Sequence, residues 1–173
     1  METLAKIPTV KLERPVQIGI VVKDLDRTTS LLGSLFGIGP FRFIEWPNRP
    51  DSEYCFRGQR EHIRIRQAFV QVGPIELEFI QPLEGENTAY WQFLHREGGG
   101  IHHILFETQD MDAATAALGE RGIRILQNGT GIRPGTRWAL LDTEELLGFL
   151  VELRHRPGAM SDGTSVPEDP GRG

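Results

Sequence analysis

The sequence predicts an α+β protein made of two tandem βαβββ modules that form a shared cleft. Three observations predict this fold class. First, the apolar, β-branched run at residues 16–22 indicates a buried strand and is followed at once by acids that can cap a helix. Second, the same strand and helix signals return 86 residues later. Third, several shorter apolar runs, separated by turns that contain Gly or Pro, follow each helix.

The first module is predicted over residues 15–82. Asp24 or Asp26 is expected to cap its helix, which covers residues 27–35 and ends near Gly37. Gly39 and Pro40 then prevent further helix. The strands of this module are predicted at residues 16–22, 41–45, 54–57, 63–72 and 76–80.

A linker helix is predicted within residues 83–99, over residues 88–96, with Asn87 as its cap. The second module, residues 100–156, repeats the order of the first. Its helix is expected at residues 111–121, and its strands at residues 102–107, 123–127, 137–142 and 148–154.

The repeat rests on a comparison of residues 17–33 with residues 103–119, in which six of seventeen positions are identical. The identities are one apolar strand position, two helix-capping acids, and a Thr, a Leu and a Gly in the helix. These positions define a strand–helix unit, and a module of this size cannot bury its own sheet face, so the two are expected to pack together. The alternative is an α+β domain without a repeat.

Composition excludes several classes of function. The net charge of -5, without a dense Lys/Arg block, argues against nucleic acid and anionic membranes as partners. No apolar run approaches the roughly 20 residues of a membrane-spanning helix, and the N-terminus lacks the apolar core of a signal peptide, so a cytoplasmic protein is expected. Cys55 is the only cysteine, which excludes an intramolecular disulfide and a Cys-rich zinc site. Residues 1–14 are predicted to be an N-terminal extension and residues 157–173 a flexible tail.

Four polar side chains occupy matched positions in the two modules. Gln17 and His103 each stand second in the first strand of a module, and Glu78 and Glu152 lie in the last strands. Because strand side chains alternate between faces, all four are expected on the concave face of the sheet. Each one alone would more often be a solvated or hydrogen-bonded strand residue, but the matched placement favours one convergent site.

This set supplies three oxygen donors, one imidazole nitrogen and two negative charges. Such donors suit a single divalent metal ion, which could be Zn, Ni, Co, Mn or Fe, and leave positions open for water or substrate. The sequence therefore predicts a metal site between the modules.

Four segments carry a resemblance to a known family: VQIGIVVKDLD, AFVQVGPIELEFIQPL, GGGIHHILFETQDMDAA and GFLVELRHRP. They resemble the vicinal oxygen chelate superfamily, which has the glyoxalase/bleomycin-resistance/dioxygenase-like fold, and most closely its methylmalonyl-CoA epimerase-like and glyoxalase I branches. The resemblance covers about residues 15–156 and implies the metal ligands Gln17, Glu78, His103 and Glu152.

Three positions depart from the epimerase pattern. Epimerases usually have His at the position of Gln17 and Gln at that of Glu78, and the set found here resembles that of animal-type glyoxalase I. Bacterial epimerases also often carry a Glu where this chain has Gln67, which cannot abstract a proton. The resemblance implies an enolate-forming epimerase or isomerase acting on a small acyl thioester or ketone, with Glu152 and then Glu78 as the catalytic bases. The alternatives are a glyoxalase I-type lyase, a ring-cleaving dioxygenase or a non-enzymatic small-molecule binder; a homodimer is expected.

The remaining polar and aromatic residues give weaker signals. Five arginines could hold a carboxylate or a CoA phosphate, although a solvated strand edge is the favoured interpretation. The aromatic residues of the linker helix are expected in packing or dimer contacts. His102 is expected either to pack in the core or to contact the metal ligands. These residues are Arg60, Arg64, Arg66, Arg133 and Arg137, and Tyr90, Trp91 and Phe93.

Overall fold

The computed structural model describes residues 9–12 and 14–158, and within them ten strands form a single mixed sheet. The helices are α1 (Leu25–Phe36), α2 (Ala89–Glu97), α3 (Met111–Gly119) and α4 (Glu144–Leu147). The strands are β1 (Pro15–Val21), β2 (Arg42–Trp46), β3 (Tyr54–Phe56), β4 (Gln59–Arg60), β5 (Arg64–Val72), β6 (Ile75–Glu84), β7 (Gly100–Glu107), β8 (Ile125–Thr130), β9 (Arg137–Leu141) and β10 (Leu150–His155).

The two modules have the same strand order. The first contributes β2-β5-β6-β1 and the second contributes β8-β9-β10-β7 to the sheet. Within each module the first and last strands are parallel, whereas β1 and β7 are antiparallel and join the modules at the centre. The predicted fold class of two βαβββ modules is therefore confirmed.

One hairpin crosses between the modules, which the sequence did not indicate. Strands β3 and β4 follow β2 in the chain, yet they extend the opposite edge of the sheet, where β3 pairs with β8. Only residues 47–53 connect β2 to β3, so the sheet must curl until its two edges are close. The rings of Trp46 and Tyr54, on either side of this connection, are 6.2 Å apart.

The helix caps test the sequence predictions in detail. At α1 the Asp24 carboxylate accepts a hydrogen bond from the backbone N–H of Arg27, and Gly37 ends the helix in the left-handed conformation, as predicted. At α2 the prediction of Asn87 as cap was wrong. Thr88 has the extended backbone of a capping residue and accepts from the N–H of Trp91, whereas the Asn87 side chain bonds to Glu61.

The cores lie on both sides of the curled sheet. Helix α1 covers one apolar cluster on β5 and β6, and α3 covers another on β9 and β10. A third cluster, which includes Trp46, Tyr54 and Tyr90, fills the inside of the curl against α2. Helices α1 and α3 therefore cover the outer face, and the part of the inner face that the third cluster leaves open forms the cleft.

Some predictions stay untested. Residues 1–8, 13 and 159–173, which hold most of the expected extension and tail, lie outside the described residues. No helix in the described part of the chain is long and apolar enough to cross a membrane. The homodimer and the cytoplasmic location remain predictions.

Candidate metal centre

A cavity of about 160 Å³ opens on the inner face of the sheet. Three of the four predicted ligands line it directly, namely Gln17, Glu78 and Glu152. Polar and charged side chains share its lining with aromatic and aliphatic ones, which are Trp46, Ile63, Ile65, Phe69, Tyr90, Ile132 and Trp138. A cavity that combines apolar walls with convergent polar groups is the usual form of a ligand site.

Glu78, His103 and Glu152 meet at the floor of this cavity. Strands β6, β7 and β10 supply one residue each, and the imidazole Nε2 of His103 lies 3.0 Å from Glu152 Oε2 and 3.6 Å from Glu78 Oε2. All three are buried, and His103 has no solvent-exposed surface. The structure thus brings together three residues that are far apart in the sequence.

Gln17 lies in the same cavity but has a different partner. It is buried, and its amide Nε2 donates a hydrogen bond of 2.6 Å to the carboxylate of Glu76. Among the described residues, no hydrogen bond joins it to the other three predicted ligands.

Gly19 makes room for the imidazole of His103. The glycine pairs with Glu78 on one side and with His103 on the other, at the middle of the sheet. A Cβ atom at this position would lie 1.9 Å from Cε1 of His103. Because the imidazole is fully buried, it has no free space into which it could retreat.

Gly19→Ala is therefore expected to lower the free energy of unfolding by about 1–3 kcal/mol, since the added methyl group overpacks the site. Denaturant unfolding measures this change. Gly119→Ala, at the end of α3, is the matched control because a Cβ there meets nothing within 4 Å. The control is expected to be neutral or slightly stabilising. Equal stability of Gly19→Ala and the wild type would contradict the packing argument.

Two further side chains hold the centre in place. The amide of Gln67 donates to Glu78 Oε1, and its own oxygen is buried without a hydrogen-bond partner among the described residues. Nδ1 of His102 lies 3.0 Å from Nδ1 of His103, so one ring donates to the other according to tautomer. His102 is packed between the rings of Tyr90 and Phe93, in agreement with its expected packing role.

Burial and close contact shift the pKa values of this cluster. Burial, reinforced by Glu78 and opposed by His103, raises the pKa of Glu152 to about 7. Burial lowers the pKa of His103, but the nearby Glu152 and Glu78 outweigh it, so this pKa is raised. Burial, and then proximity to His103, holds the pKa of His102 well below its usual value. Near neutral pH, Glu152 can therefore both take up and release a proton.

The donor set fits a divalent cation, although the atoms are not arranged around one. Among the described residues, no three His, Cys, Asp or Glu side chains form a ready metal-ligand group. Instead the carboxylates approach the imidazole directly. Nε2 of His103 is nonetheless buried without a hydrogen bond, and both carboxylates have little exposed surface. One imidazole nitrogen beside two buried carboxylates is a chemically suitable ligand set.

The arginines predicted from the sequence are mostly elsewhere. Four of them form ion pairs at the surface, with partners on neighbouring strands, loops or helices, so the solvated-edge interpretation holds for these four. The pairs are Arg60 with Glu53, Arg64 with Glu45 and Glu84, Arg66 with Asp26, and Arg137 with Asp112.

Only Arg133 of that set lines the cavity, where the structure adds Arg42, Arg154 and Arg156. Sequence reasoning missed these three. For Arg154 a signal existed, since it follows Glu152 at the two-residue period of one strand face. Tyr90 also lines the cavity, but it is 4% exposed and belongs to the core, as its expected packing role requires.

Comparison with known proteins agrees with this fold. Mouse mitochondrial methylmalonyl-CoA epimerase is 27% identical over 148 residues, which are 84% of this chain and 75% of that protein. An ethylmalonyl-CoA/methylmalonyl-CoA epimerase of Cereibacter sphaeroides is 39% identical over 89 residues, or 49% of this chain and 65% of the other. A solved structure of a Streptomyces coelicolor methylmalonyl-CoA epimerase variant, in complex with 2-nitronate-propionyl-CoA, superposes with a TM-score of 0.64 at 26% identity, covering 88% of this chain and all of that one.

Most of the chain also matches a family model. Residues 16–139 match the model described as the glyoxalase/bleomycin resistance protein/dioxygenase superfamily. The match spans the first module, the linker helix and most of the second module. The chain therefore belongs to the glyoxalase/bleomycin resistance protein/dioxygenase superfamily, the vicinal oxygen chelate proteins that its motifs resemble.

Proposed function

We propose that this protein is a divalent-metal-dependent epimerase or isomerase that forms an enolate on a small acyl thioester or ketone, as methylmalonyl-CoA epimerases do. The observation that carries the proposal is the meeting of Glu78 and Glu152, from opposite modules, at one buried imidazole in the cavity. The similarity to epimerases over more than four fifths of the chain supports the reaction class.

Gln17, Glu78, His103 and Glu152 would hold the metal through the amide oxygen, the carboxylates and Nε2. A bound dication would stabilise the negative charge that develops on a carbonyl oxygen when a neighbouring carbon loses its proton. The buried Nε2 of His103, which lies between the two carboxylates, supports its place in this set.

Glu152 is the proposed base that takes the proton from carbon. Burial raises its pKa to about 7 in the metal-free protein, so the base and its conjugate acid are both available there near neutral pH. The burial of Glu152 beside the aromatic and aliphatic side chains of the cavity disfavours its charged form, which keeps the carboxylate basic.

Glu78 is the proposed second proton carrier. An epimerase must remove a proton from one face of a carbon and return it to the other, and Glu78 reaches the centre from a different strand than Glu152. Gln67 cannot move a proton, but its hydrogen bond holds one oxygen of Glu78 and leaves the other directed towards His103.

A glyoxalase I-type lyase is the second candidate. The observation that favours it is the donor set Gln, Glu, His and Glu, together with the neutral Gln67 beside Glu78. A 1,2-shift needs a single base that moves one proton between neighbouring carbons, and Glu152 alone could serve.

The two candidates differ in what they do in heavy water. The full-length protein, loaded separately with Zn, Ni, Co and Mn, would be incubated in D₂O with methylmalonyl-CoA, and in parallel with the hemithioacetal of methylglyoxal and glutathione. We expect metal-dependent incorporation of deuterium at the α-carbon of the thioester. Mass spectrometry of the thioester measures this incorporation. Hemithioacetal turnover without this exchange would identify the protein as the lyase instead. Absence of both activities with every metal would contradict both candidates.

A further inference from the structure

Three arginines gather beside the carboxylate centre of the cavity. Arg154 lies two residues after Glu152 on the same face of β10, which places the two positions about 6–7 Å apart along the strand. Arg156 follows immediately after this strand, and Arg133 reaches the cavity from the loop between β8 and β9. The three cations therefore stand on one side of the proposed reaction centre.

Among the described residues, these three arginines form ion pairs with one carboxylate, that of Glu107. Arg154 Nη2 and Arg156 Nε approach the same oxygen of Glu107, at 3.0 and 3.3 Å. No ion pair joins Arg133 to a carboxylate among the described residues. The nearby Glu76 already accepts the amide of Gln17.

Arg154 is the most constrained of the three. Its side chain is only 13% exposed, and its Nε is buried without a hydrogen-bond partner within the described part of the chain. A buried guanidinium N–H without an acceptor is costly, so an acceptor from a ligand would relieve it. By contrast, the surface pair of Arg66 and Asp26 has two matched hydrogen bonds.

The pKa of Arg156 reflects electrostatic repulsion among the three arginines. Burial lowers the pKa of Arg156, and the neighbouring Arg154 and Arg133 lower it further, against the opposing effect of Glu107 and Glu76. Arg42 also lines the cavity, but its guanidinium stacks on the ring of Phe69 at 4.5 Å. Arg42 is therefore engaged by an aromatic ring, whereas the other three arginines are close to one another.

We propose that Arg133, Arg154 and Arg156 form an oxyanion-binding subsite beside the carboxylate centre, which takes a carboxylate or phosphate group of the ligand. The identification of the occupant as the substrate rests on the proposed function. The binding of an oxyanion at the subsite does not depend on that function. Planar guanidinium groups match such oxygens in pairs. The subsite also offsets the repulsion that Glu78 and Glu152 would exert on an anionic molecule entering the cavity.

The cavity volume limits the part of the ligand that enters. At about 160 Å³ it is close to the roughly 150 Å³ of a cavity that accommodates benzene. A short acid or the acyl end of a thioester therefore fits, whereas the bulk of a larger ligand must stay outside. Either the acid's carboxylate or a phosphate at the cavity mouth would present the same oxyanion chemistry.

Isothermal titration calorimetry on the metal-free full-length protein tests the subsite without turnover or metal chelation. The probes are malonate, free coenzyme A and the neutral malonamide. We expect at least one of the two anions to bind, and its dissociation constant to rise about tenfold or more in Arg156→Gln and in Arg133→Gln, since each loses a charged hydrogen bond. Arg137→Gln is the matched control, because this arginine is half-exposed, pairs with Asp112 and lies outside the cavity.

The outcomes separate cleanly. Arginine-dependent binding of malonate identifies a carboxylate subsite, and arginine-dependent binding of coenzyme A alone identifies a phosphate subsite; both support the proposal. Failure of both anions to bind, or equal binding by the wild type and both variants, overturns it. Arg133→Gln changes a loop residue and serves if Arg156→Gln does not fold. If the protein catalyses no deuterium exchange but still binds an anion in an arginine-dependent way, the proposed function is contradicted and the proposed subsite is supported.

Discussion

Glu152→Gln is expected to reduce turnover by about 10²–10⁴-fold, the range that a positioned base contributes. Glutamine has nearly the same shape, so it preserves packing on β10 while removing the group whose pKa near 7 suits proton transfer. The stability of the variant should change little, because burial already disfavours the charged form of Glu152. The rate of deuterium exchange into the thioester and the thermal unfolding midpoint measure the two quantities.

Two companion variants make this result specific. Glu45→Gln removes an exposed strand carboxylate that pairs with Arg64, and should leave turnover unchanged. Glu78→Gln should block epimerisation but leave exchange of one epimer measurable, if each carboxylate serves one face of the carbon. Turnover of Glu152→Gln within a few-fold of the wild type would place the base elsewhere.

His103→Ala is expected to abolish stoichiometric metal binding and to lower the free energy of unfolding by about 3–5 kcal/mol. The imidazole is the only nitrogen donor among the four proposed ligands. Its loss also leaves Glu78 and Glu152 close together without the imidazole, whose pKa these two carboxylates raise. Elemental analysis of the purified protein measures metal content, and denaturant unfolding of the metal-free protein measures stability.

His62→Ala is the control for this variant. The side chain of His62 is exposed, and its one ion pair among the described residues is with Glu84 at 4.0 Å, so its removal should change neither quantity. Stoichiometric metal in His103→Ala would refute the proposed ligand set. A loss of metal without loss of stability would show instead that the buried carboxylates accept protons readily enough to compensate.

Local signals in the sequence predicted most of the fold. The apolar run of β1 and the cap at Asp24 depend on neighbouring residues only, and both were found as predicted. The cap of α2 was assigned to Asn87 rather than Thr88, because both residue types cap helices and only the backbone conformation of Thr88 decides between them. The short elements β4 and α4 were not predicted, since two and four residues contain no periodicity.

The residues of the candidate site that occupy matched positions in the two modules were predictable from the sequence. The two-residue period of strands and the repeat together placed Glu78, His103 and Glu152 on one face, and the structure brings them into contact. The bond of Gln17 to Glu76 was not predictable, because it joins two strands 59 residues apart. The roles of Gly19 and Gln67 depend in the same way on neighbours across the sheet.

The sequence by itself determined the two-module fold and the four matched polar positions, because apolar periodicity, helix caps and an internal repeat are all properties of local sequence. Only the tertiary structure decided which arginines meet the cavity. The pairing of β9 with β10, in which Arg137 lies opposite His155, brings the loop that carries Arg133 next to the end of β10, while Arg60, Arg64 and Arg66 stay at the surface. Which charges become neighbours depends on long-range strand pairing, and no local pattern of residues encodes it.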